Sequence, residues 1–198
     1  LSVKSFKKCI EIMPDYAEAH LNLGLCYLLI GDYENGWREY EWRKKLIKTS
    51  SGNLNKEWTG QSLDNKTLLI LEEGDENLIQ FSRLARELHK DNCKIILQCS
   101  KEASELMANQ KWINEVVAAD IFPEHDYHAH IGSLMKVLQY NPNNISHEFP
   151  YIESSKIKQE CIEKEKLNIG VALETNMNSN SHDDESIDLS LIHISEPT

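Results

Sequence analysis

The sequence predicts an α/β fold preceded by an all-helical repeat, and three observations carry that reading. A small residue followed four later by an aromatic, Ser2/Phe6, returns as Gly36/Tyr40, shifted by 34 positions. Residues 50–55 (SSGNLN) form a small polar break. Beyond the break, short β-rich runs alternate with helix-period segments, the pattern of a parallel sheet covered by its crossover helices.

The helical part comes first. His20-Leu21-Asn22-Leu23-Gly24-Leu25-Cys26-Tyr27 places apolar and small residues at helical spacing, Pro14 closes the preceding unit, and Gly31-Asp32-Tyr33 makes the turn between two helices. Gly24 and Gly36 let those helices approach closely, with Leu23, Tyr27 and Tyr40 filling the space between them. The run resembles a tetratricopeptide repeat, with His20 in the slot usually held by Trp. One full unit and half of its predecessor fit into residues 1–49. About three such units are needed to bury their faces, so the parent protein is expected to extend upstream. Trp37, Tyr40 and Trp42 read as packing residues rather than as a ligand-stacking cluster.

Residues 50–66 read as a linker. After it, strands are predicted over 67–71, 94–98, 115–117, 127–131 and 168–173, and helices over 78–90, 101–108, 133–139 and 154–166. In the first of these helices Leu78, Phe81, Ala85 and Leu88 share one face. The alternation implies a Rossmann-like layer over 67–166, with helices on both sides of a parallel sheet that begins at Thr67 and a second half starting at 167–190. Residues 191–198 (LIHISEPT) resemble a translated sequencing adapter and read as a non-native tail.

Charge narrows the function. Of the net charge of −11, almost all lies in the second part: residues 1–58 carry nine Lys/Arg against eight Asp/Glu, residues 59–198 twelve against twenty-four. Phosphate backbones are held by Lys and Arg, so nucleic acid is not an expected partner. No apolar run reaches the length of a membrane span and no signal peptide is visible. The five cysteines (Cys9, Cys26, Cys93, Cys99 and Cys161) include no CxxC pair, which suits reduced thiols and a cytoplasmic protein.

A broader resemblance rests on two stretches. One is Gly31-Asp32-Tyr33-Glu34 with Gly36-Trp37 and Tyr40-Glu41-Trp42-Arg43. The other runs from Trp58-Thr59-Gly60 and Leu63 through Leu68–Leu71 to Glu73-Gly74 and Ile79-Gln80-Phe81 with Arg83. Together they resemble bacterial tetratricopeptide proteins that carry a heptosyltransferase-like glycosyltransferase domain. The resemblance implies the first half of a GT-B fold, a protein partner in the repeat groove, and a nucleotide-sugar donor bound mainly by the second half, which this chain only begins. No cofactor is implied.

The resemblance also locates a site. The family loop after the first strand reads Gly-x-Gly-Asp, its aspartate placed to take a proton from the acceptor hydroxyl. In this chain Gly74 takes the first glycine position, Glu76 the second and Asn77 that of the aspartate, with Gln80 beside the substrate. An amide is no base, so the site reads as that of a degenerate or inactive transferase, unless the loop shifts by a residue or two and Asp75 or Glu76 supplies the carboxylate. The acidic run His182-Asp183-Asp184-Glu185 is likewise unsuited to a diphosphate. The alternative function is an interaction scaffold with a non-catalytic transferase-like domain.

His125-Asp126-Tyr127-His128-Ala129-His130 offers a rival chemistry, because Asp126, His128 and His130 share a face in a strand and are zinc-ligand types. No further ligand follows at a fixed offset, so the segment reads as a polar strand end and no metal is assigned.

Overall fold

The computed structural model describes residues 2–47, 54–89, 92–144 and 150–153. All of them fall in one compact unit, Leu1–Lys156. The expected helix over 154–166, the strand over 168–173, the start of a second half and the terminal tail lie outside the described residues.

Three helices open the chain: α1 (Ser2–Ile12), α2 (Ala17–Leu29) and α3 (Tyr33–Tyr40), the last running into a 3₁₀ turn, Glu41–Lys45. Asp32 caps α3 by accepting from the Asn35 amide at 3.2 Å. Gly31, at φ +82°, supplies the reversal before it. At the α2–α3 crossing a Cβ on Gly24 would lie 2.9 Å from the Tyr40 nitrogen, so glycine is what permits the contact. His20 stacks flat on Trp42 at 3.7 Å and bonds both Glu39 and the Pro14 carbonyl. Its ring thereby ties the start of α2 to the end of α3.

Among the described residues the sheet has five parallel strands in the order β1-β5-β2-β3-β4. They are β1 (Lys56–Glu57), β2 (Thr67–Leu71), β3 (Lys94–Cys99), β4 (Glu115–Ala118) and β5 (Tyr127–His130). β2 is an apolar run with no polar alternation, as a central strand buried on both faces requires. It pairs with β3 on one side and β5 on the other, so it has the parallel neighbours expected of it, but the sheet begins at β1 and not at Thr67. β1 lies inside the stretch read as a linker, where Trp58 and Leu63 are also buried.

Among the described residues three helices follow strands: α4 (Asp75–Leu88), α5 (Lys101–Ala108) and α6 (Leu134–Val137), the last led by a 3₁₀ turn, Ile131–Ser133. Leu68, Ile70, Ile95 and Leu97 form the main core with Leu78, Phe81 and Ala85 of α4, Met107 of α5 and Leu134 of α6. Leu69, Leu71 and Ile96, on the other face, meet Leu54, Val117 and Phe122. Among the described residues this second face is therefore covered by connecting segments, not by the helices expected there. Trp37 joins repeat to sheet: it packs edge-on against Tyr40, Phe81 and Tyr140 and donates to the Tyr140 carbonyl at 2.9 Å.

Helix α4 starts three residues earlier than its apolar periodicity suggested. Gly74, at φ +102°, is its N-cap, and Asp75, Glu76 and Asn77 make its first turn. Acidic side chains are favoured at that end of a helix, because the free N–H groups and the macrodipole present positive charge there.

Candidate functional site

Strands β2, β3 and β4 step outward in chain order, and β5 then returns to the far side of β2. The carboxyl ends of β2 and β5 thus flank the topological switch point, where open α/β sheets hold their ligands. Two consecutive glutamates leave β2 here, and they serve opposite neighbours.

Glu73 turns toward β5. Its Oε2 accepts from the Gly132 amide at 2.9 Å and from Arg43 Nη2 at 2.8 Å, and its Oε1 lies 3.5 Å from His130 Nδ1. Arg43 comes from the turn that ends the repeat. It also donates to Glu41 Oε1 at 2.9 Å, Ser133 Oγ at 3.1 Å and the Tyr40 carbonyl at 3.2 Å, and its guanidinium lies over the Tyr40 ring. Lys44 extends the network from Glu41 at 2.8 Å to Glu57 on β1 at 2.6 Å. Burial alone would push Arg43 down and Glu41 up. Hydrogen bonds and charge reverse both, so Arg43 is held above its ordinary range by Glu73 and Glu41, and Glu41 below its own by Lys44 and Arg43. His130 is held low, first by burial and then by Arg43 and Lys44, against the pull of Glu73. It is neutral at pH 7.

Glu72 turns toward β3. Its carboxyl accepts from the Ser100 amide, and Ser100 Oγ, the N-cap of α5, donates to Asp75 Oδ1 at 2.9 Å. Burial, the shared hydrogen bond to Asp75 and the nearby Glu102 carboxylate push Glu72 up to about 7, although the Ser100 amide pulls the other way. The neighbouring Cys99 thiol is pushed up to about 11 by burial and by these two acids. It is not a reactive thiolate at neutral pH.

The remaining residues singled out in the sequence divide clearly. Gly74, Glu76 and Gln80 are exposed, the last two one turn apart on α4. Asn77 is half-buried, and its Nδ2 donates to the Glu73 carbonyl at 2.9 Å, so the amide closes the loop on itself. Asp75 is half-buried within the acid pair. Glu72 and Arg43, absent from the expected site, are legible only as the glutamate after β2 and the arginine after Trp42.

The histidine segment does not assemble into a metal centre. Asp126 precedes β5 and is tied to the Thr67 amide at 2.9 Å and to Lys66 at 3.2 Å, and these bonds hold its carboxyl below the ordinary range. His125 Nε2 accepts from the Asn55 amide, which leaves its Nδ1 to donate to Pro123. Among the described residues no group of three His, Cys, Asp or Glu is placed to hold a metal ion. A cavity of about 660 Å³ against Trp58, Leu63, Leu88 and Val137 lies at the amino ends of β2 and β3, away from the acid pair.

Residues 5–37 match the tetratricopeptide repeat family. The match covers most of α1, all of α2 and the start of α3, so the chain carries a tetratricopeptide repeat ahead of its α/β part. No curated protein and no solved structure matches the chain. No helix among the described residues is long and apolar enough to cross a membrane.

Proposed function

We propose that the chain is the repeat and acceptor-side part of a sugar-transferase-like protein, its α/β part being the Rossmann-like first half of a GT-B fold. The observation that carries this reading is the half-buried pair Glu72 and Asp75 at the carboxyl end of the sheet, bridged by Ser100, where burial and the neighbouring carboxyl push Glu72 up to about 7. In the reaction an acceptor hydroxyl attacks the anomeric carbon of a nucleotide sugar. The bond from that carbon to the diphosphate oxygen breaks, the nucleoside diphosphate leaves, and the hydroxyl proton passes to Asp75. Asp75 fills this role better than Glu76, whose side chain is in solvent, or Asn77, which has no basic oxygen to offer. Gly74 and Gln80 border the acceptor, and the donor falls to residues 167–190 and beyond. The repeat brings the acceptor or its carrier protein: Leu25 and Leu29 lie one turn apart on α2, both exposed, Leu29 at 87%.

A second reading, an interaction scaffold without catalysis, is favoured by one specific feature. The switch point is filled by the repeat's own Arg43 and not left open. Release of nucleoside diphosphate from a panel of nucleotide sugars by the full-length protein separates the two. Release that falls about 10²–10⁴-fold in Asp75→Asn supports the enzyme, as loss of a general base should. No release from any donor overturns it and leaves the scaffold.

A further inference from the structure

The loop that opens α4 is held from both sides by groups with no part in the chemistry proposed above. On the sheet side Glu73 is fixed by the Gly132 amide, and on the repeat side by Arg43. The Asn77 side chain then clamps the Glu73 carbonyl, and Gly74, Asp75 and the α4 N-terminus follow within one turn. Arg43 spends its two terminal nitrogens on four acceptors from three segments: Tyr40 and Glu41 of the repeat, Glu73 of the loop, and Ser133 after β5. Ser133 closes the circuit by donating to Glu41 at 3.2 Å. A planar five-donor fork can satisfy such a set at once, and the compact ammonium of lysine cannot. The packing leaves no slack, since even a methyl on Gly132 would come within 2.7 Å of Glu73 Oε2 and 2.8 Å of Arg43 Nη2.

We infer that Arg43 is a positioning residue: through Glu73 it sets the geometry of the loop bearing Glu72 and Asp75, so the state of the repeat is read at the site. This rests on the function proposed above for its meaning, but its test does not. Amide exchange and the titration of the Glu72 carboxyl are followed in the 198-residue chain, as wild type, Arg43→Lys and Glu73→Gln. Arg43→Lys keeps the charge, and Glu73→Gln keeps an oxygen for Gly132 and Arg43, so both variants retain the means to fold.

In Arg43→Lys the Gly132 amide, which donates to Glu73, and the Leu78 amide, which donates to Gly74, should exchange at least about tenfold faster, while Ile96 and Leu97 of β3 keep their protection. Glu72 faces Asp75, Glu102, the Ser100 amide and Cys99, and loosening its pair with Asp75 should bring its titration down toward the ordinary carboxyl range. Glu73→Gln should give the same pattern in weaker form. Unchanged exchange and titration in Arg43→Lys would overturn the inference, as would equal acceleration across β3 and the loop. A loop that responds in a protein without sugar transfer would remove the transferase reading and leave Arg43's role standing.

Discussion

Arg43 Nη2 and Glu73 Oε2 meet at 2.8 Å with only 6% and 1% of their side chains exposed, which joins the last turn of the repeat to the loop after the central strand. Removing two charges from water costs several kcal/mol each. The pair recovers that cost only because Glu41, Ser133, Gly132 and the Tyr40 carbonyl supply further hydrogen bonds. Its contribution is therefore to arrangement more than to net stability. A hydrophobic pair would bind the two parts as well, but would not dictate which way the loop turns.

The first prediction follows from the space around that pair. Gly132 is not in the left-handed region, so alanine there costs nothing in backbone strain; its methyl group would instead strike Glu73 and Arg43. Both are buried and multiply bonded, and neither can swing away without stranding a charge. Gly132→Ala should destabilise by about 1–3 kcal/mol, the usual cost of overpacking, read as a lower urea midpoint with unchanged slope.

The repeat offers a paired comparison. A Cβ on Gly24 meets only backbone, the Tyr40 nitrogen at 2.9 Å and the Gly36 oxygen at 3.0 Å, whereas a Cβ on Gly36 meets chiefly the Leu28 side chain, at 2.5 Å, with the Leu28 nitrogen farther off at 3.1 Å. A leucine can rotate and a helix backbone cannot. Alanine in a helix also gains up to about 1 kcal/mol over glycine. Gly36→Ala should therefore come out within about 1 kcal/mol of wild type and Gly24→Ala clearly below it, by about 2 kcal/mol in thermal or urea unfolding.

Why the sheet was readable and the site less so follows from particular residues. The run over 68–71 is apolar and buried throughout, as suits a central strand covered on both faces. Gly24 and Gly36 likewise announce a close helix crossing. The start of α4 was misplaced because Asp75, Glu76 and Asn77 carry no apolar periodicity; they are helical by capping and dipole, which period counting does not see. Arg43 and Glu73 stand 30 residues apart and meet only through the tertiary fold. Glu72 looks like any loop carboxylate until Ser100, 28 residues on, is placed beside it.

The Glu72–Asp75 pair predicts a pH effect on stability. Glu72 titrates at about 7 in the folded chain and at the ordinary carboxyl value when unfolded, so the folded state holds the extra proton between pH 4.5 and about 7. Stability from this group is fully present below pH 4.5 and is lost as pH rises through 7. His130 and His128 act oppositely, because their folded values lie below the ordinary 6.5 and stability is lost as pH falls through that range. Glu72→Gln removes the first effect alone. The variant should gain thermal stability at pH 8 relative to pH 5 compared with wild type, in melting curves recorded at both values. An identical pH profile would show that Glu72 titrates normally.

The last prediction concerns Asn77, at the position where the resembling family carries its basic aspartate. Its amide donates to the Glu73 carbonyl at 2.9 Å from the third residue of α4. A carboxylate there can make no such bond and would face a carbonyl oxygen. Against this, a negative charge in the first helical turn gains about 0.3–1 kcal/mol from the dipole. A neutral hydrogen bond contributes about 0.5–1.5 kcal/mol, so Asn77→Asp should be destabilising by no more than about 1 kcal/mol. Its chemical effect separates two histories of the loop. If Asp75 is the proton acceptor, Asn77→Asp leaves nucleoside diphosphate release within a few-fold of wild type, and Asp75→Asn lowers it about 10²–10⁴-fold. If the aspartate position alone can reach the acceptor, Asn77→Asp raises release by a factor in that same range from a negligible level, and Asp75→Asn is silent. Asp75 is half-buried and already bonded to Ser100 at the rim of the sheet, whereas the Asn77 side chain is folded back on its own helix. The first outcome is the one expected.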